Sequence, residues 1–139
     1  GVQTCALPIY GNMLSTDYSF GTIGFFIKQA KAGKDITLYG GGDTKRTFTH
    51  MEDLCYQIVQ GSMNKDSNGE IYNIGGQTLS LREAAEFVAK KFKTNVDAVE
   101  WPEKDFRIES NHTYFDDTKI RSLLCIGEYK QLQEFSKDL

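Results

Sequence analysis

A single arginine, Arg46, stands between three consecutive glycines and a short alternating run in the stretch 36–54, ITLYGGGDTKRTFTHMEDL. That spacing is an anion-binding layout. Gly40, Gly41 and Gly42 let the backbone take positive φ and approach a ligand closely. The planar guanidinium of Arg46 then offers a fork of donors matched to phosphate oxygens. Competing chemistries lack their residues. The glycines are not followed by the Gly-Lys-Ser/Thr of a P-loop, and no G-x-G-x-x-G follows a strand and opens a helix. None of Tyr10, Tyr18, Tyr39, Tyr56, Tyr72, Tyr114 and Tyr129 has a lysine four positions later. His50 has no nucleophile at a workable spacing and is read as structural. His112 with Asp116 and Asp117 meets no metal-ligand rule, so helix capping is the reading there.

The elements that must position Arg46 follow from hydrophobic period. Ile36 and Leu38 alternate with Thr37 and Tyr39, and Arg46 and Phe48 with Thr47 and Thr49, the two-residue period of strands with one face buried. Phe20, Ile23, Phe26, Ile27 and Ala30 recur at helical spacing, with Gly33 placed to stop that helix. A second helix is expected over 51–63, with Glu52 and Asp53 favourable at its positive end. A polar loop over 64–69 precedes an expected strand over 70–74, ended by Gly75-Gly76. Ser80 and Glu83 form a capping box ahead of the stripe Leu81, Ala84, Ala85, Val88 and Phe92. A strand over 96–101 stops at Pro102, Asp116 or Asp117 caps a short helix through Leu124, and a final helix is expected over 128–139.

Composition bounds the function. With 139 residues the chain can bury a core as one small α/β domain. A net charge of -3 and a pI near 5.4 argue against a nucleic-acid or anionic-membrane surface. No apolar run approaches the ~18 residues of a membrane span. Cys5, Cys55 and Cys125 make no C-x-x-C, the usage of reduced thiols, and a cytoplasmic location is expected. The opening GVQTCALPI reproduces the in-frame translation of a widely used sequencing-library adapter (GGA GTT CAG ACG TGT GCT CTT CCG ATC), so residues 1–9 are expected to be an artefact and 10–139 the domain.

Five segments in order, Tyr10-Gly11, FFIKQAKAGKDITLYGGGDTKRTFTHMEDL, EIYNIGG, SLREAAEFVAKKF and FDDTKIRSLL, together resemble the nucleotide-sugar epimerases and dehydratases of the extended short-chain dehydrogenase/reductase superfamily. The resemblance implies a two-part enzyme. One part is a Rossmann half with a glycine-rich turn and a Tyr-x-x-x-Lys pair that holds NAD; the other is a smaller half that holds a nucleotide diphosphate sugar. This chain is similar to the second part and lacks the motifs of the first. In relatives the strand over 70–74 joins the large sheet of the Rossmann half, and the parent would be a homodimer.

By the same resemblance Arg46 contacts the diphosphate, Arg107 in EKDFRIES supplies a second phosphate arginine, and Tyr39 lies beside the nucleotide base. Phe48 is read first as core, with a nucleotide contact from the Arg46 side as the second possibility. No catalytic, cofactor-binding or metal-ligating residue is assigned on this chain. The expected function is therefore the C-terminal substrate-binding part of an NAD-dependent epimerase or dehydratase acting at sugar C4, inactive alone. The alternatives are a nucleotide-sugar reductase or decarboxylase of the same superfamily, or a noncatalytic nucleotide-binding regulator.

Overall fold

A computed structural model describes residues 8–11, 21–101, 112–137 and 139. Two small sheets and five helices make up these residues. A mixed sheet has the order β1-β3-β4, from β1 (Ile9–Tyr10), β3 (Lys45–His50) and β4 (Gln77–Ser80). β1 runs parallel to β3 and β4 antiparallel to it. A second sheet pairs β2 (Ile36–Tyr39) in parallel with β5 (Val96–Val99), from Ile36 opposite Val96 to Tyr39 opposite Val99. The helices are α1 (Gly21–Lys31), α2 (Met51–Met63), α3 (Leu81–Phe92), α4 (Thr118–Leu124) and α5 (Leu132–Lys137).

The core collects the apolar faces that the helical and strand periods mark out. α1 contributes Ile23, Phe26, Ile27 and Ala30; β2 contributes Ile36 and Leu38; α3 contributes Ala84, Ala85, Val88 and Ala89. Small residues on α3 let α1 and the sheets approach it closely, and Leu132 of α5 closes the far side with no exposure. The capping box forms as expected: the Ser80 hydroxyl accepts from the Glu83 amide, and the Glu83 carboxylate accepts from the Ser80 amide at 2.7 Å.

Three expectations change. The segment 70–74 forms no strand, and Ile71 is 87% exposed. No neighbouring backbone among the described residues offers it a ladder. A strand forms instead over 77–80, where β3 supplies the partner. β3 is also not one-sided, since Thr47, Phe48, Thr49 and His50 are all buried. The threonines are satisfied by hydrogen bonds: Thr47 Oγ1 accepts from the Phe115 amide, and Thr49 Oγ1 donates to the Gly75 carbonyl. Finally, the last helix begins only at Leu132. Tertiary bonds hold the preceding residues out of it, with the Lys130 amide donating to Asp53 and the Tyr129 hydroxyl to Asp117 at 2.6 Å.

Pro8 and Ile9, which the sequence reading sets aside with the leading segment, lie in the sheet. The Pro8 carbonyl accepts from the Thr49 amide, and Ile9 pairs opposite Thr49. Such pairing uses backbone groups alone and demands no particular side chain.

Candidate functional site

The glycine turn is a 3-10 turn over Gly40–Gly42, with φ of 58°, 80° and 77° at its three residues. These left-handed values require glycine, and the packing requires it again. A Cβ on Gly42 would fall 3.1 Å from the amide nitrogen of Arg82 and within closer range of the Leu38 side chain. A Cβ on Gly40 would overlap the indole nitrogen of Trp101. The turn is thus pressed between the start of α3 and the residue that follows β5. Arg82, in the first turn of α3, donates from Nε to the Gly41 carbonyl at 2.8 Å and pins the turn from that side.

Tyr39 and Arg46 stand on either side of this turn, on two different sheets. Tyr39, 45% exposed, ends β2 with its ring tilted against that of Trp101, the centroids 5.1 Å apart. Arg46 is half-buried on β3, opposite Leu79 of β4 and bridged on its other edge by Thr113. Its Nη1 donates to the Lys45 carbonyl at 2.9 Å, which turns the guanidinium back along its own strand. The edge of β3 at Arg46 is closed by the segment that includes His112: the Thr113 amide donates to the Lys45 carbonyl, and the Lys45 amide donates to His112 Nδ1. His112 therefore has a backbone partner, and Asp116 caps α4 by accepting from the Thr118 amide and hydroxyl. Those hydrogen bonds from Thr118 hold the Asp116 carboxyl below its usual range.

Phe48 lies in the core without exposure, the role the sequence reading ranks first. Arg107 lies outside the described residues. Trp101 and Arg82 are the site residues that sequence reasoning missed. Trp101 reads as the end of a strand before proline, and Arg82 as an ordinary exposed position of an amphipathic helix. The clue to both is spatial, because parallel pairing of β2 with β5 brings position 101 back to the turn.

His50 occupies a structural place. Its Nδ1 accepts from the Glu52 amide and caps α2, and its ring meets Tyr10 edge-on at 5.2 Å. Burial pushes its pKa down, reinforced by Lys130 and opposed by Glu52 and Asp53. A neutral imidazole is what this cap needs, since only the unprotonated nitrogen can accept.

The same geometry bears on a dinucleotide. A pyrophosphate cradle needs a glycine-rich turn opening into a helix whose free amides face the ligand. Here the turn leads into β3, Gly40 is covered by an indole and Gly42 is filled by Leu38, so the turn does not fit that group. Among the described residues no helix is long and apolar enough to cross a membrane, and Cys55 and Cys125 are free and exposed.

Residues 8–75 match the model of the NAD dependent epimerase/dehydratase family. A UDP-N-acetyl-alpha-D-glucosaminuronate decarboxylase of Bacillus cytotoxicus is 35% identical over 79 residues, covering 56% of this chain and 24% of that protein. A dTDP-glucose 4,6-dehydratase of Streptomyces niveus is 33% identical over 107 residues, covering 73% of this chain and 30% of that protein. The crystal structure of a UDP-glucuronic acid 4-epimerase from Bacillus cereus in complex with UDP-glucuronic acid and NAD superposes with a TM-score of 0.69 at 24% identity, over 93% of this chain and 40% of that one. The last likeness establishes the α/β fold. The chain spans less than a third of the length of these two curated relatives. Over residues 8–75 it is similar to the NAD-dependent epimerase/dehydratase family.

Proposed function

We propose that this chain belongs to the family and is the C-terminal, substrate-binding portion of an NAD-dependent nucleotide-sugar epimerase or dehydratase acting at sugar C4. The observation that carries the reading is the pairing of a tight glycine turn with Arg46 on one side and an exposed aromatic, Tyr39, on the other. An anionic diphosphate and a flat base are the two chemically distinct parts of a nucleotide, and these residue types suit one each. Arg107 is the second phosphate arginine of the proposal.

In this reading the chain binds and orients, and the hydride chemistry at C4 belongs to residues outside it. NAD would be held by a Rossmann half, in keeping with a glycine turn here that does not fit a dinucleotide. Binding energy spent on the diphosphate, far from the reacting carbon, fixes the sugar for that chemistry. The 35% identity to a decarboxylase favours a second chemistry on the same class of donor, in which the nucleotide site is unchanged.

Extending the gene upstream tests the proposal. The expected result is an open frame encoding a glycine-rich turn and a Tyr-x-x-x-Lys pair, whose product turns over UDP- or dTDP-sugars while the 139-residue chain does not. A start codon near Tyr10, or micromolar NAD binding by the chain alone, would overturn it.

A further inference from the structure

The glycine turn is held by a part of the chain far from it in sequence. Three successive left-handed glycines, at φ of 58°, 80° and 77°, have little conformational preference of their own, and glycine loses more backbone freedom on ordering than any other residue. The shape of the turn must therefore be imposed. The start of α3 imposes it at two points. The Leu81 amide donates to the Thr44 carbonyl at 3.0 Å, and Arg82 Nε donates to the Gly41 carbonyl at 2.8 Å. Between these bonds the Arg82 backbone closes on Gly42, where a Cβ would sit 3.1 Å from the Arg82 amide nitrogen and 3.3 Å from the Arg82 Cβ. This end of α3 is itself fixed by the capping box and by the pairing of Ser80 with Lys45. Of the two bonds, only that from Arg82 is made by a side chain, so it is the one that a substitution removes. Gly41 is only half-buried, so a freed carbonyl meets water, and the consequence of the loss is local shape rather than global stability.

We infer that Arg82 is a positioning residue for the nucleotide site: by holding the Gly41 carbonyl it fixes the turn that sets Tyr39 and Arg46 relative to each other. The inference rests on the proposed nucleotide site and adds to it a residue that touches no ligand. Tyr39 immediately precedes the turn, and residues 43–45 lead from it to Arg46. A turn free to sample other shapes moves the two against each other, and a ligand that spans both has to order it on binding. What the turn needs is the donor at Nε. The remainder of the guanidinium points to the next turn of α3, with Nη1 4.0 Å from the Glu86 carboxylate.

Two substitutions separate a donor from a charge. Gln places its amide nitrogen the same number of bonds from Cα as Nε and is neutral, whereas Met keeps the stem alone. Trp101, the only tryptophan in the chain, has its indole where a Cβ on Gly40 would fall, so its emission reports the shape of the turn without any ligand. In the 139-residue chain, Arg82→Met should shift that emission and weaken UDP binding about tenfold by calorimetry, with the urea midpoint close to the parent's. Arg82→Gln should restore the emission and most of the affinity. Arg82→Met should also add little to the loss caused by Arg46→Ala, because both act on one contact. Equal losses in Arg82→Gln and Arg82→Met would overturn the inference and make Arg82 a direct charge contact with phosphate. Parent-like UDP affinity in Arg82→Met, with Arg46→Ala weakened, would overturn it and leave the nucleotide site standing. If the parent itself binds no UDP, the nucleotide site fails and the positioning role with it.

Discussion

Helices α2 and α3 have nearly the same length and opposite surroundings. α3 buries Ala84, Ala85, Val88 and Ala89 against α1, α5 and the strands, so its apolar stripe is completed within the chain. α2 buries only Gln57, and it leaves Tyr56, Ile58, Val59 and Met63 about half-exposed or more. α3 is thus held by packing and α2 by polar contacts. The His50 cap, the Lys130–Glu52 ion pair and the Gln57 side chain hold α2 in place. The difference teaches that an amphipathic pattern identifies a helix without saying whether its apolar face is satisfied inside the same chain.

Truncating one apolar side chain on each side is the largest test of the contrast. Leu132→Ala, beneath α3, removes a side chain with no exposure and should cost about 2 to 5 kcal/mol in a urea melt. Ile58→Ala on α2 starts from 54% exposure and should stay within about 0.5 kcal/mol. Equal losses would mean that the outer face of α2 is covered in solution.

A smaller effect is expected at Gln57, the one buried side chain of α2. Its Oε1 accepts from the Gly75 amide at 2.8 Å, and its Nε2 donates to the Asp53 and Gly75 carbonyls. Gln57→Leu keeps the volume and strands the Gly75 amide, so a loss of about 1 to 3 kcal/mol should appear as a lower denaturation midpoint. A neutral outcome would show that polar contacts do not hold this helix.

The smallest effect concerns pH. Burial lowers the His50 pKa in the fold from its ordinary 6.5, so the unfolded chain binds the proton more readily. Stability contributed by neutral His50 is present above pH 6.5 and is lost as pH falls below it. Melting temperature should therefore decline from pH 7 to pH 5. His50→Asn, which keeps a capping acceptor that does not titrate, should flatten that part of the profile. An unchanged slope in the variant would remove His50 from the account of α2.

Much of the fold was legible in the sequence where a local signal sufficed. The bounds of α2, the capping box of α3, the β2 alternation and the glycine turn all rest on residues within a few positions of one another. What was not legible depends on distant partners. Glu70-Ile-Tyr-Asn-Ile carries strand-forming residues, yet a strand needs a neighbour. β4, with one buried apolar residue, Leu79, becomes a strand because β3 pairs with it. Tyr129 and Lys130 are held outside α5 by Asp117 and Asp53, partners that no window around them contains. At the candidate site Arg46 was singled out from its own neighbourhood and Tyr39 from the family resemblance. Trp101 and Arg82 were missed because only the fold returns them to the turn.

The central claim is that Arg46 receives the diphosphate of a nucleotide sugar. It is tested most directly by calorimetric titration of the upstream-extended protein and its Arg46→Ala variant with UDP- and dTDP-sugars. Removal of the guanidinium should weaken nucleotide-sugar binding by about 1.5 to 3 kcal/mol, roughly tenfold to a hundredfold, with melting temperature and NAD affinity unchanged. Arg46→Lys should recover only part of it, because a point charge cannot reproduce a two-pronged contact. Equal affinity in Arg46→Ala and parent would contradict the account and leave Arg46 an ordinary strand arginine.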